Sequence, residues 1–232
     1  MKEYINKIIN ADCMDILKQL PDKCIDLVLT DPPYILETHG GGNRKQWANI
    51  HNNFIQDLSY GFDSCVLNEL LRVCKTPNIL IFCSNKQISS LMSYFEERNL
   101  STTLLCWHKK DYVPFANGKH ISDIEFIVYV RGAKAHWNNE IDIKQKSKVL
   151  SDNWHIVNKI HPTQKSIEVI SHLVKLHSYT NDLILDCFSG SGTTAVACHN
   201  LKRRFICIEK DYDYWKASVE RYNNAKAQLK LF

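Results

Sequence analysis

The chain has nine cysteines, yet no two stand as C-x-x-C. That spacing is the local signature of zinc ribbons and dithiol redox pairs, so neither a metal site nor a redox motif is expected. An odd count also argues against a closed disulfide framework. Cys83, Cys106, Cys187 and Cys207 lie inside apolar runs, where a reduced thiol behaves as a small hydrophobe. The sequence lacks an apolar run long enough to span a bilayer. Its first residues lack the charged-then-apolar pattern of a secretory signal. Together these absences set the expectation of a cytoplasmic protein with no membrane partner. Strong charge of one sign is missing too. A net charge of +4 permits a polyanionic partner without demonstrating one. No internal repeat or low-complexity tract is present, which excludes solenoid architectures.

What is present fits an ordinary globular chain. Its 232 residues, 44% apolar and 23% charged, suit one domain over residues 1–232 with insertions inside it. The organising stretch is 25–34, Ile-Asp-Leu-Val-Leu-Thr-Asp-Pro-Pro-Tyr. A short apolar run has the length and composition of a buried parallel strand. Pro32 and Pro33 cannot continue its ladder, because they lack N–H groups and their φ angles are locked. The backbone should leave the sheet as a stiff extended arm. The Asp31 carboxylate and the Pro32 carbonyl become acceptors there, and Tyr34 presents a flat face beside them. Ligands of open α/β sheets bind at the carboxyl ends of strands, where this arm lies.

Strands are expected at 7–11, 25–30, 78–83, 102–108, 125–130, 183–188 and 204–209. Helices are expected at 14–20, 63–74, 166–177, 193–201 and 211–231, with one more after Ser84 or Asn85 as its cap. The strand at 125–130 is expected to pair antiparallel with its predecessor. Residues 35–62 have little periodicity and hold Gly40, Gly41, Gly42, Arg44, Lys45 and Trp47. A stretch this long without structure is either a flap over a site or a disordered surface loop. Residues 132–160 are irregular, with several lysines and tryptophans and few apolar residues.

The last third carries a second constellation. The run 183–188 ends in Gly190-Ser191-Gly192-Thr193-Thr194-Ala195, which satisfies G-x-G-x-x-[G/A] after a strand and at the opening of a helix. Glu209 closes the next strand, about 20 residues on, where a carboxylate can accept from ribose hydroxyls. A dehydrogenase opens with this fingerprint and needs several more strands after it. Here one strand and one helix remain. The rest of the sheet must come from the N-terminal part of the chain. The fold class is therefore α/β: a doubly wound Rossmann-like sheet, circularly permuted and mostly parallel, with an antiparallel edge hairpin.

This combination resembles the β class of S-adenosylmethionine-dependent amino-methyltransferases of DNA. The family places Asp-Pro-Pro-Tyr before Phe-x-Gly-x-Gly. Here these stand as Asp31-Pro32-Pro33-Tyr34 and Phe188-Ser189-Gly190-Ser191-Gly192. His161-Pro162-Thr163-Gln164-Lys165 is similar to the segment before the family's first cofactor helix, with Ser166 in place of the usual proline. Asp12-Cys13 stands where the family has Gly-Asp-Cys, with Ala11 replacing the glycine. The resemblance implies S-adenosyl-L-methionine as cofactor. It implies that Asp186, Phe188, Ser189, Gly190, Ser191, Gly192 and Thr193 line its methionine end. Thr163 and Lys165 approach its carboxylate, Glu209 holds the ribose, and Asp12 and Cys13 lie near the adenine. Asp31 also counts with the cofactor set. Plainer readings stand beside these: Asp12 and Thr163 are equally placed as helix caps, Lys165 as a solvated lysine, and Tyr34 as a core residue.

The resemblance further implies a methyltransferase acting on the exocyclic N6 of a flipped adenine in duplex DNA, within a restriction-modification system. Asp31, Pro32, Pro33 and Tyr34 would be its catalytic residues. Asp31 and the Pro32 carbonyl would hold the amine, and Tyr34 would stack on the base. Cytosine N4 is the alternative target; RNA or protein amide methylation and a non-catalytic cofactor-binding scaffold rank lower. DNA contacts are expected from Arg44, Lys45, Lys109, Lys110 and Lys119, with 35–62 as a mobile flap and 132–160 as a target-recognition insertion. No metal is required. The implied setting is a bacterial or phage-encoded protein whose partners are double-stranded DNA, a second copy of itself and a cognate restriction endonuclease.

Overall fold

The computed structural model describes residues 1–32, 64–110, 120–152, 160–161 and 163–228. Pro33, Tyr34, Arg44, Lys45 and Lys119, with the whole 35–62 stretch, lie outside the described residues. In chain order the elements are β1 (Lys7–Asn10), α1 (Cys13–Leu17), β2 (Leu27–Thr30), α2 (Ser64–Val73), β3 (Asn78–Cys83), α3 (Ile88–Glu96), β4 (Ser101–Lys109), β5 (Ile124–Arg131), β6 (Val149–Asp152), α4 (Ile167–His177), β7 (Leu183–Asp186), α5 (Thr193–Asn200), β8 (Arg204–Glu209) and α6 (Tyr212–Gln228). Among the described residues, the strands form one sheet in the order β1-β8-β7-β2-β3-β5-β4-β6. Neighbouring strands are parallel except at the two sides of β5, which runs against the rest.

The strands read as continuous apolar runs because helices cover both faces. All six residues of β3 are buried. Val28, Ile79, Ile81, Leu183 and Leu185 point to the layer built by α1, α2 and α3. Leu27, Leu29, Leu80, Phe82 and Ile184 point to the opposite layer with α4 and α5. Trp215, Val219 and Tyr222 of α6 close that second layer. No helix among the described residues is long and apolar enough to cross a membrane.

Two local expectations are revised. The β4–β5 hairpin is one strand in from the edge, because β6 pairs parallel with β4 from Cys106↔Val149 to Lys109↔Asp152. Its four residues, with Val149 54% exposed, are too few and too open to show a strand period. At α3, neither Ser84 nor Asn85 caps the helix. The Gln87 carboxamide oxygen accepts from the Ser84 N–H and hydroxyl, each at 2.9 Å, and the helix starts only at Ile88. The glutamine side chain folds back onto the preceding turn, and no side-chain oxygen caps the helix.

The topology creates one crevice. β2 and β7 are adjacent and parallel, with Leu27↔Ile184 and Val28↔Leu185 in register. The helix that follows β2 packs on one face of the sheet, and the helix that follows β7 packs on the other. The chain therefore diverges above the carboxyl ends of these two strands, which is the switch point where doubly wound sheets bind ligands.

Candidate active site

At this switch point the two chain segments are stitched together by one threonine. The Thr30 hydroxyl donates to Asp186 Oδ1 at 3.1 Å and accepts from the Cys187 N–H at 3.2 Å. The register carried forward from Val28↔Leu185 puts Asp31 level with Phe188. Asp186 itself is buried. Its Oδ1 also accepts from the Phe188 N–H at 3.2 Å, and its Oδ2 from the Thr194 hydroxyl at 2.6 Å. Burial raises its pKa to about 7, against the lowering effect of its three donors; the nearby Asp31 charge pushes the same way as burial. Asp186 thus serves as a brace between β7, α5 and β2.

The glycine turn is built for close approach. Gly190 and Gly192 have φ of +48° and +71°, values that favour glycine. A Cβ on Gly192 would meet Ser218 Cβ at 3.1 Å and Ile8 Cδ1 at 3.2 Å. Glu209 secures the turn from β8: its carboxylate accepts from the Gly190 N–H at 2.8 Å and the Asp211 N–H at 2.9 Å. Burial raises the Glu209 pKa, opposed by those backbone donors. From behind, Arg221 of α6 donates to the Ser191 carbonyl at 3.0 Å and to the Thr193 hydroxyl at 2.9 Å. The sequence reading missed Arg221; the signal was its place three residues after Ser218, on the packed side of α6. The Ser189 hydroxyl is buried with no partner among the described residues, so the turn holds a polar atom available to a ligand.

Asp31 sits in a chain of alternating charges. Lys165 Nζ lies 2.8 Å from Asp31 Oδ2 and 2.8 Å from Glu125 Oε2. Lys109 Nζ lies 2.5 Å from Glu125 Oε1. The Lys165 side chain is only 6% exposed. Burial lowers its pKa, but the Asp31 and Glu125 carboxylates outweigh that and leave it raised. Burial raises the Glu125 pKa, and the two lysines outweigh it to leave the group lowered. From sequence, Glu125 stands only at the head of the stretch to Arg131 that resembles the family's middle motifs, with no role of its own. Its signal was a lone acid in the apolar strand Ile-Glu-Phe-Ile-Val-Tyr-Val.

The remaining sites fall as follows. Asp12 caps α1, accepting from the Met14 N–H at 2.9 Å, and pairs with Lys210 at 3.0 Å. It lies next to the end of β8, because the Ala11 N–H donates to the Glu209 carbonyl. Cys13 is buried, and desolvation pushes its thiol up to about 12. Thr163 is exposed and its hydroxyl is 3.1 Å from His161 Nδ1. It does not cap α4; Ser166 does. The His161 ring packs against Tyr214 and stands beside Gly190. Lys109 points into the charge chain, with its side chain 13% exposed, whereas Lys110 is exposed.

A glycine turn beside an Asp-Pro arm, at the switch point of a permuted doubly wound sheet, is the arrangement expected from the resemblance to amino-methyltransferases. Comparison with known proteins agrees. The family model N6_N4_Mtase, DNA methylase, matches residues 25–220, and the chain belongs to this family of N6/N4 DNA methyltransferases. The type II methyltransferase M2.MboI of Moraxella bovis is 26% identical over 248 residues, covering 96% of this chain and 89% of the relative. The crystal structure of the M1.HpyAVI–SAM complex matches with a TM-score of 0.67 and 26% identity, over 94% of this chain and 98% of that one. The cytosine-N4-specific PvuII DNA methyltransferase matches with a TM-score of 0.69 over 96% of this chain and 91% of that one; at 15% identity it shows the shared fold alone.

Proposed function

We propose that this chain methylates the exocyclic N6 of adenine, flipped from duplex DNA, as the methyltransferase of a type II restriction-modification system. The observation that carries it is the placement of Asp31 level with the glycine turn, across two adjacent parallel strands. The type II relatives M2.MboI and M.HinfI of Haemophilus influenzae, each 26% identical, support the wider setting.

S-adenosylmethionine fits the cradle: two positive-φ glycines, a buried Ser189 hydroxyl with no partner among the described residues, and a terminal carboxylate. When bound, it supplies a methyl group already activated by a sulfonium. Ser189 and the 188–193 turn would hold its methionine end, Glu209 would accept from the ribose, Asp12 and Cys13 would border the adenine, and Thr163 would approach the carboxylate. An aromatic amine is a weak nucleophile because its lone pair is conjugated with the ring. The Asp31 carboxylate holds one amine proton and the Pro32 carbonyl holds the other, which draws the nitrogen towards tetrahedral geometry. Both acceptors are fixed beforehand, as electrostatic preorganisation requires. Tyr34 stacks on the extruded base, which duplex pairing would otherwise keep out of reach.

The test is to incubate duplex DNA with the protein and cofactor, digest it and identify the modified nucleoside. N6-methyladenine is expected from the wild type. Asp31→Ala is expected to lower the rate by about 10²–10³-fold, the scale of removing one preorganised electrostatic partner. Modified cytosine alone would move the assignment to N4, an activity this fold carries in the PvuII enzyme. Methylation by the variant at the wild-type rate would overturn the role of Asp31.

A further inference from the structure

Resting on that reading, we propose that Lys165, backed by Glu125 and Lys109, is the positioning residue that orients the Asp31 carboxylate for the amine, and is no ligand of the cofactor. Residues from three separate elements stand in line behind this one carboxylate, with Lys165 touching it. Glu125 comes from β5 and Lys109 from β4, whose register pairs Trp107 with Glu125. Lys165 immediately precedes α4, and its neighbour Ser166 caps that helix and bonds to Asp152 of β6. Asp31 stands at the exit of β2, where Pro32 supplies no N–H. The Lys165 ammonium fixes Oδ2 at 2.8 Å, and Glu125 in turn fixes the ammonium.

The alternation of sign explains why the chain has four members. Asp31 and Glu125 share one ammonium, and the side chain of each is less than one-fifth exposed. Moving Lys165 to a cofactor carboxylate would leave two buried acids facing each other, a costly arrangement. Lys109 supplies the second positive charge that balances Glu125. Lys165 Nζ also lies 5.0 Å from the centre of the Phe82 ring. Among the described residues, Asp186 and Cys83, both buried, also feel the Asp31 charge.

The experiment uses the full chain with Lys165→Met, Lys165→Arg and Glu125→Gln. Single-turnover methylation is expected to fall ~100-fold in Lys165→Met, the scale of a reacting group misplaced by an ångström. Cofactor affinity by calorimetry should stay within about threefold of wild type, and Lys165→Arg should restore part of the rate. Glu125→Gln should move the alkaline limb of the pH–rate profile down by about one unit or more, because Lys165 loses a charge partner. A second readout needs no turnover. Carbon-13 NMR of labelled lysine, with Lys165 assigned by its loss in Lys165→Arg, should show its titration moving to lower pH in Asp31→Asn and in Glu125→Gln. Cofactor affinity lost in proportion to rate in Lys165→Met would overturn the proposal. So would a Lys165 titration that neither variant moves. If Lys165→Met does not fold, the near-isosteric Glu125→Gln carries both readouts. A wild-type protein that methylates no DNA would strike the functional reading and leave the titration to decide the relay.

Discussion

At the scale of single residues, the site depends on side chains that do two jobs. Glu209 presents a carboxylate at a strand end and also clamps the Gly190 N–H at 2.8 Å. Asp12 caps α1 while bordering the end of β8. Gly192 both accepts φ of +71° and lets Ser218 and Ile8 pack against the turn. Gly192→Ala is therefore expected to lower unfolding stability by about 1–3 kcal/mol, the cost of a strained left-handed residue. It should also weaken S-adenosylmethionine binding by at least ~10-fold, because Arg221 anchors the turn to α6 and cannot follow a shift. Chemical denaturation and calorimetry check the two effects. Unchanged stability with unchanged affinity would show that the turn tolerates a side chain.

At the scale of elements, the end of α4 remote from the active site has its own electrostatics. The last residue of α4, His177, is buried against Tyr129 of β5 at a ring separation of 4.4 Å and near Trp137. Desolvation, helped by His172, His136 and Arg131, lowers its pKa to about 3. The ordinary imidazole value is 6.5, so below that the unfolded chain binds a proton that the folded chain refuses. The stability contributed by neutral His177 is present above pH 6.5 and is lost progressively as pH falls towards about 3. His177→Phe should flatten the acid limb of the stability–pH curve, measured as urea midpoints from neutral pH downward. An acid limb identical to wild type would show that other groups govern it. The β6 edge strand belongs to this scale too: four residues from a stretch with no readable period became ordered only by pairing with β4.

At the scale of the whole molecule, a net charge of +4 makes the distribution of charge more telling than its sum. Lys109 and Lys110 are neighbours in sequence, yet one closes an internal charge chain and the other faces outward. For duplex DNA, log affinity should fall linearly with log salt. Lys110→Gln should reduce that slope by about 1, as loss of one phosphate contact does. Lys109→Gln should leave the slope unchanged while slowing methyl transfer. Filter binding or fluorescence anisotropy across a salt series would check this, and equal slopes for both variants and the wild type would remove Lys110 from the interface. The sequence by itself determined the class of fold, the permuted order, the Asp-Pro arm and the glycine turn. Those are local signals: a fixed φ at proline, a free one at glycine, an apolar run, a terminal acid. The brace from Thr30 to Asp186, the Arg221 anchor and the Asp31–Lys165–Glu125–Lys109 chain were decided only by the tertiary structure. Each joins residues from different elements, and Asp31 and Lys165 are more than 130 positions apart. Only burial at one sheet end forces their charges to find one another.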